Sequence, residues 1–484
     1  MDPAMSSAWE MARAKLRTVW GYDDFRPPQG EIIQSILTGR DALIVMPTGG
    51  GKSICFQLPA LLQSGLTLVV SPLVALMENQ VQELRDRQLP AASLHSQLPP
   101  PHRQKTLKLL QQNRLRLLYL SPETLLNPSV WKILMQPQVA VNGLILDEAH
   151  CLVQWGDTFR PAYRRLGAIR PALLRQKPPK TKIAIAAFTA TADPNAQKTI
   201  KTVLQLKNPQ EYLLNPYRSN LELNIQTVWT PRGKQQQLLK FIQPRQRQTG
   251  LIYVRTRKDS ENLARWLQEK SYSTAPYHAG LSARERRRIE QEWLQDEVKS
   301  VVCTSAFGMG INKSNVRWVA HFQAPFLLSE YIQEVGRAGR DGQASTTLTL
   351  ISEPTGWLYP EDKQRQQFLL DNLQKQYQDA RQLVKKLPKQ GEISTVAEQF
   401  PQGLIALSLL HQQGQLIWSD PFHYQINLKS QNSQQNSDQN VKAVKQMSNY
   451  LKTRQCRWKF LLEAFGFSKD AQGMRCGHCD NCRR

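Results

Sequence analysis

The sequence predicts an α/β fold: two tandem doubly wound domains, then a small winged-helix-like insertion and a cysteine-rich helical tail. Three observations carry this. Short apolar runs alternate with segments of helical period, and the whole alternation occurs twice along the 484 residues. A charged and then polar stretch follows the second round. Four of the seven cysteines crowd together at the end of the chain.

The elements follow in order. MDPAMSSAWEMARAKL at the start reads as an amphipathic helix without the apolar core of a secretory leader. ALIVM (42–46), LTLVVS (66–71), LRLLYLS (115–121), VNGLILD (141–147) and KIAIAAF (182–188) read as buried parallel strands. Strands covered by helices on both faces have no polar side and therefore run apolar throughout. Amphipathic segments such as ALMENQVQELRDR (75–87) lie between them, and the first domain is assigned to residues 1–205. The second, 206–352, repeats the pattern. Its strands are GLIYV (250–254), TAPYHA (274–279), KSVVCT (299–304) and VRWVAHF (316–322), with helices through 259–270 and 282–295. Two such lobes are expected to form a cleft.

Residues 353–428 start with a charged helical stretch, 361–387. Two short helices and two strands follow, the strands joined at Ser419–Asp420–Pro421. That order suggests a winged helix; an irregular helical insertion is the alternative. KSQNSQQNSDQN (429–440) is a polar linker with little to bury. The tail, 441–484, opens with a helix expected from Val441 to Phe465.

Lys and Arg number 63 against 39 Asp and Glu, a formal net charge of +24, which favours a polyanionic partner. No apolar run approaches the roughly 18 residues a membrane span needs. Cys55, Cys151 and Cys303 stand singly and read as buried small hydrophobes.

The chemistry begins at Thr48-Gly49-Gly50-Gly51-Lys52-Ser53, between an apolar strand and an apolar helical segment. Glycines let backbone N–H groups close around phosphate oxygens. Lys52 reaches the terminal phosphates and Ser53 holds Mg²⁺. Asp147 and Glu148 end another buried strand, where side chains face the ligand crevice of such sheets. Asp147 suits Mg²⁺ and Glu148 the attacking water. In QEVGRAGRDG (333–342), Arg337 and Arg340 share one side of a helical turn and suit the γ-phosphate; a solvated charge run is the bland alternative. Cys456, Cys476, Cys479 and Cys482 are spaced C-x19-C-x2-C-x2-C, which favours tetrahedral Zn²⁺ with an iron–sulfur cluster as rival. His478, inside that cluster, reads as a surface residue.

These residues lie within a longer signature: GYDDFRPPQ (21–29), MPTGGGKS (46–53), VVSPLVALMENQV (69–81), LYLSPETL (118–125), DEAH (147–150), CLVQWGDTFRPAY (151–163), FTATA (188–192), YHAGL (277–281), TSAFGMGINKSNVRWVAHF (304–322) and EYIQEVGRAGRDG (330–342). The signature resembles superfamily 2 helicases of the DEAH type, and within them the RecQ family of DNA helicases. The resemblance implies two RecA-like lobes and a structural zinc site. It implies that Tyr22 and Arg26 sandwich adenine while Gln29 reads its edge. Thr189 and Thr191, with His150, couple hydrolysis to movement. Gln333, Arg337 and Arg340 complete the site, Arg340 as arginine finger. Trp155, Phe159 and Arg160 belong to an aromatic-rich loop that senses DNA, although taken alone the two aromatics read equally well as core.

The chain departs from the family in places. Asp157 and Thr158 stand where His and Asp are usual, and Ala162 where Glu is. The first cysteine gap is longer than usual, and residues 353–440 hold more than the family places there. Only two residues follow Cys482, so the usual winged helix and the helicase-and-RNase-D-type domain are not in this sequence. The expected activity is ATP-dependent 3′→5′ unwinding of DNA in repair and recombination. Single-stranded and partly duplex DNA are the expected partners, with single-strand-binding and recombination proteins as further candidates. The expected setting is the bacterial cytoplasm and nucleoid, with a monomer plausible. Rival readings are a translocase or RNA/RNP remodeller that does not unwind DNA, and a non-catalytic DNA-binding scaffold.

Overall fold

The computed structural model describes residues 3–47, 49–153, 160–307, 313–353, 355–427 and 437–483. The chain divides into two compact units. Met1–Met46, Gly50–Leu214 and Leu373–Ser437 form one; Pro47–Gly49, Asn215–Asn372 and Asp438–Arg484 form the other.

The first unit holds a wholly parallel seven-stranded sheet. Its strands are β1 (Ala42–Val45), β2 (Leu66–Val70), β3 (Ala91–Leu94), β4 (Leu117–Leu120), β5 (Val141–Leu146), β6 (Ala184–Thr189) and β7 (Gln210–Leu213), in the order β3-β4-β2-β5-β6-β1-β7. Successive side chains point to opposite faces. Leu43 and Val45 of β1 therefore enter one core, and Ala42, Ile44 and Met46 the other. The five expected strands are present. β3 and β7 were not expected, and the pairing of β7 with β1 carries this lobe past the anticipated boundary at 205 to Leu214. At the amino end of β1, the buried Asp41 carboxylate accepts from Arg170 Nη1 at 2.7 Å and from the N–H groups of Ile185 and Lys207. A buried charge is tolerable only when paired and hydrogen-bonded in this way.

The second unit holds a six-stranded parallel sheet. It contains β8 (Leu221–Val228), β9 (Gly250–Tyr253), β10 (Thr274–Tyr277), β11 (Ser300–Cys303), β12 (Trp318–His321) and β13 (Ser345–Ser352), ordered β10-β11-β9-β12-β13-β8. Because all six run the same way, their carboxyl ends share one edge.

Residues 361–426 form the winged-helix arrangement. Helix Glu361–Val384 is followed by β14 (Gln390–Glu392), helices Ile393–Gln399 and Gly403–Gln412, and the hairpin β15 (Leu416–Trp418) with β16 (His423–Ile426). The three strands pair antiparallel in the order β14-β16-β15 around a core that includes Leu407, Leu410 and Trp418. The hairpin tip sits on the first lobe. Arg175 donates to the Ser419 carbonyl at 2.6 Å, Arg165 donates to that of Pro421 at 3.1 Å, and Phe422 meets Trp131 edge-on at 5.7 Å.

The helix anticipated from Val441 to Phe465 is two helices, Ser437–Lys452 and Arg457–Ala464. The break falls where Asn481 donates to the carbonyls of Thr453 and Gln455, at 2.8 Å each. That exchange frees the chain to turn, and Cys456 becomes the residue capping the second helix instead of lying inside one long helix.

Candidate nucleotide and zinc sites

The phosphate loop joins β1 to helix Lys52–Leu62. Gly51 has φ +78°, a backbone conformation that favours glycine, and a Cβ there would lie 2.3 Å from Gln29 Nε2 and push that side chain off its contacts. Gln29 opens the helix Gln29–Leu37. Its Oε1 accepts from the Arg26 N–H at 2.9 Å, and its Nε2 donates to the carbonyls of Gly50 and Gly51 at 3.2 and 3.3 Å. It thus ties the segment of exposed Tyr22 and Arg26 to the phosphate loop. Lys52 Nζ is buried, makes no hydrogen bond among the described residues, and lies 3.9 Å from Glu148 Oε1. An ammonium held dry without a hydrogen-bond acceptor fits a phosphate ligand. Gln80 Nε2 reaches Ser53 Oγ at 3.4 Å. Thr48 lies outside the described residues.

The acid pair follows β5. Glu148 has φ +53°, a left-handed conformation that costs energy for a side chain of its size. From there its Oε2 lies 3.2 Å from His150 Nδ1, which is also 3.2 Å from Thr189 Oγ1 at the end of β6. Thr189 Oγ1 in turn donates to the Thr191 carbonyl at 3.0 Å. One polar chain therefore runs from Lys52 through Glu148 and His150 to Thr189 and Thr191. Burial disfavours the His150 cation, but contacts with Cys151 and Glu148 outweigh it and push His150 up to about 10. Burial, then repulsion by Glu148, pushes Asp147 up to about 6 against the pull of Lys52. Such a carboxylate, short of positive charge, suits a divalent cation.

This shift has a measurable sign. The folded value of Asp147 lies above its ordinary 3.8. Its contribution to stability is therefore complete below pH 3.8 and lost as pH rises through about 6. A divalent cation held there would reverse that balance by favouring the carboxylate. Thermal stabilisation by Mg²⁺-nucleotide is expected to be larger at neutral pH than below pH 6. A stabilisation independent of pH across this window in a melting series excludes Asp147 as the cation ligand.

In the second lobe, helix Leu328–Val335 and the turn after it carry Gln333, Arg337 and Arg340. Arg337 is buried; Gln333 and Arg340 are half-buried. Beneath them Glu334 pairs with Arg255 at 2.9 Å and with His321 Nε2 at 3.0 Å. Burial works against the Glu334 carboxylate, but Arg255 and His321 bring it down to about 2. Sequence reasoning passed over this supporting set; Glu334, an acid on the apolar side of an amphipathic helix, was the available signal. Arg160, expected to contact DNA, is committed instead to Glu123 through two bonds of 3.0 and 2.8 Å and to the Pro72 carbonyl at 2.7 Å. Trp155 and Phe159 lie outside the described residues.

The four cysteine sulfurs of Cys456, Cys476, Cys479 and Cys482 all lie within 4.8 Å of one another, as a tetrahedral ion requires. Backbone N–H groups face them: Arg457 N reaches Cys479 Sγ at 3.5 Å and Cys476 N reaches Cys456 Sγ at 3.4 Å. Such donors stabilise thiolate. His478 points away, its Nδ1 2.6 Å from the Cys476 carbonyl. The cluster is locked to β8: Asp480 holds Arg457 by two 2.9 Å bonds and accepts from Ile225 N at 3.3 Å, and Trp458 Nε1 donates to the Leu221 carbonyl at 3.2 Å.

Two parallel α/β lobes, a glycine-rich phosphate loop and an acid pair at a strand end define an ATP-dependent helicase. The chain matches the DEAD/DEAH box helicase family over residues 26–199, the helicase conserved C-terminal domain over 233–342, and the RecQ zinc-binding family over 412–483. It belongs to the RecQ family. It is 53% identical over 468 residues to "ATP-dependent DNA helicase RecQ" of Synechocystis sp., covering 96% of this chain and 97% of that one. Identity to the Haemophilus influenzae protein of the same name is 40%, over 73% of this chain but only 56% of that protein. The fold alone is shared with Mycobacterium smegmatis helicase Lhr bound to ssDNA and AMP-PNP (TM-score 0.56, 19% identity, 73% of this chain and 48% of that one). It is shared likewise with S. cerevisiae Dbp5 bound to RNA and ADP BeF3 (TM-score 0.56, 16% identity, 73% and 90%). Among the described residues, no helix is long and apolar enough to cross a membrane.

Proposed function

We propose that the chain translocates 3′→5′ on single-stranded DNA and unwinds duplex DNA with ATP. The observation that carries this is the polar chain from Lys52 through Glu148 and His150 to Thr189, which links the phosphate site to the far end of β6. Tyr22, Arg26 and Gln29 hold adenine. Lys52 and the amides of residues 48–51 take the phosphates, and Ser53 and Asp147 would hold Mg²⁺, which neutralises phosphate charge when bound. Glu148 accepts the proton of the attacking water. Gln333, Arg337 and Arg340 stabilise the charge that develops in transfer, Arg340 as the finger.

The docked hairpin bears on how strands part. Its tip is held by Arg165 and Arg175, so it is not a free wedge. Duplex opening therefore follows from translocation, with Trp155, Phe159 and Arg160 reporting DNA to Glu148. Arg160 would do so by leaving Glu123 for a phosphate.

Strand separation on 3′-tailed and 5′-tailed DNA duplexes with Mg²⁺-ATP tests the reading. Only the 3′-tailed substrate is expected to open. DNA-stimulated hydrolysis with neither substrate opened makes the chain a translocase instead. Stronger stimulation by single-stranded RNA than by DNA makes it an RNA remodeller.

A further inference from the structure

Two tryptophans stand in solvent at one corner of the second lobe. β8 and β13 are paired so that Val228 faces Ser352 at their carboxyl ends. Trp229 follows the first and is 56% exposed; Trp357 follows the second within five residues and is 86% exposed. Large aromatics are normally buried, so two indoles this exposed, each following one of two paired strand ends, are candidates for a ligand contact.

The loop presenting Trp357 is built, not slack. Glu353 is buried, and its carboxylate accepts from Thr355 N at 2.7 Å, Leu358 N at 3.0 Å and Tyr359 N at 3.4 Å. The Trp357 N–H donates to Thr355 Oγ1 at 3.2 Å. The far end is pinned by Tyr359, whose ring lies 5.2 Å from the Lys234 ammonium, itself 3.2 Å from Glu361. Among the described residues the turn's N–H groups close on Glu353 and Thr355, and the indole is left exposed.

Beside the loop is a cavity of about 270 Å³ whose wall carries Glu353 and Asp362 as well as Lys363, Arg365 and Lys452, over an apolar floor that includes Phe326 and Met447. Arg365 is ion-paired with Asp362 and, through Nε at 3.8 Å, with Glu361; its Nη1 makes no hydrogen bond among the described residues, and Lys363 and Lys452 add two further cations to the wall. Flat apolar faces next to cationic donors match the chemistry of an unpaired nucleotide strand, which offers a base face and a phosphate at every step.

We propose that this corner is an auxiliary subsite for single-stranded DNA, with Trp229 and Trp357 stacking bases and Lys363, Arg365 and Lys452 taking phosphates. The inference rests on the reading of the chain as a DNA helicase. β8 and β13 lie at the end of the sheet order opposite β10, beyond β12, so a strand bound elsewhere on the lobe is expected to reach this corner only when it is long.

The test is equilibrium binding of fluorescent oligo-dT of graded length to the full chain and to a Trp229→Ala/Trp357→Ala double variant. For the wild type, affinity rises with length beyond the point where the variant reaches its plateau. Long strands bind the variant about five- to 150-fold more weakly for each base stack lost. Trp357→Phe restores most of that loss, because a benzyl ring still stacks. Lys363→Ala lowers the salt slope by roughly 0.7. A double variant that follows the wild type at every length overturns the proposal and leaves the tryptophans to a protein partner. Loss at all lengths alike, or a phenylalanine variant as weak as alanine, overturns it in favour of a structural role. Wild-type protein that binds no DNA removes the parent reading too, an outcome distinct from unchanged binding by the variant.

Discussion

Glu148→Gln is expected to lower nucleic-acid-stimulated ATP hydrolysis by about 10²–10⁴-fold, the range for removing a general base. The substitution keeps the shape and an amide oxygen that can still face His150, but it removes the group that takes the proton. Lys52→Ala is expected to fail differently. Lys52 is the buried ammonium with no hydrogen-bond acceptor among the described residues, so its loss weakens nucleotide binding as well as turnover. Steady-state ATPase assays at saturating DNA, with fluorescent-nucleotide binding alongside, separate the two. Glu148→Gln that hydrolyses ATP at the wild-type rate would show that the water is activated elsewhere.

A different variant, His150→Ala, tests coupling. Among the described residues Glu148 reaches the end of β6 through His150, at 3.2 Å on each side. His150→Ala keeps both acids and the phosphate loop. Its expected signature is ATPase activity that no longer responds to DNA, instead of loss of hydrolysis altogether.

Sequence pattern revealed the strands that are apolar on both faces, and it revealed the glycine loop, the acid pair and the cysteines, because spacing alone brings those groups together. It failed where a partner decides the outcome. β7 reads QEYL and has no buried residue; its pairing to β1 makes it a strand. β14, Gln390–Gly391–Glu392, has no strand propensity and is imposed by β16. The alternating β8 and the threonine-rich β13 lack the continuous apolar run that marks their neighbours. In the site, the positive φ of Glu148 and the capture of Arg160 by Glu123, 37 residues earlier, leave no trace in spacing. The break before Cys456 is likewise written by Asn481, far along the chain.

Removal of zinc is expected to unfold the tail. Four sulfurs within 4.8 Å cannot remain as neighbouring thiolates without a cation, and as thiols they lose most of what draws them together. Burial pushes Cys476 up. Burial also opposes the Cys482 thiolate, but the Gly477 backbone N–H and the adjoining cysteines bring it to about 7. Metal binding must therefore displace protons, and acid must release the metal. Structural zinc contributes on the order of 10–16 kcal/mol in small cysteine and histidine sites at neutral pH, comparable to the whole stability of a typical domain, roughly 5–15 kcal/mol. Cys479→Ser is the sharpest variant, since Cys479 is buried and its sulfur meets the Arg457 N–H. Elemental analysis is expected to find one zinc per wild-type chain and none in the variant. Melting should show early loss of helices Ser437–Lys452 and Arg457–Ala464. Damage should spread to β8, because Asp480 and Trp458 bond its backbone at Ile225 and Leu221. ATP binding by the phosphate loop, held by Gln29 and β1 in the other unit, should survive. A chain that retains full helical content and an unchanged melting profile without metal would show that the cysteine cluster is not a structural zinc site.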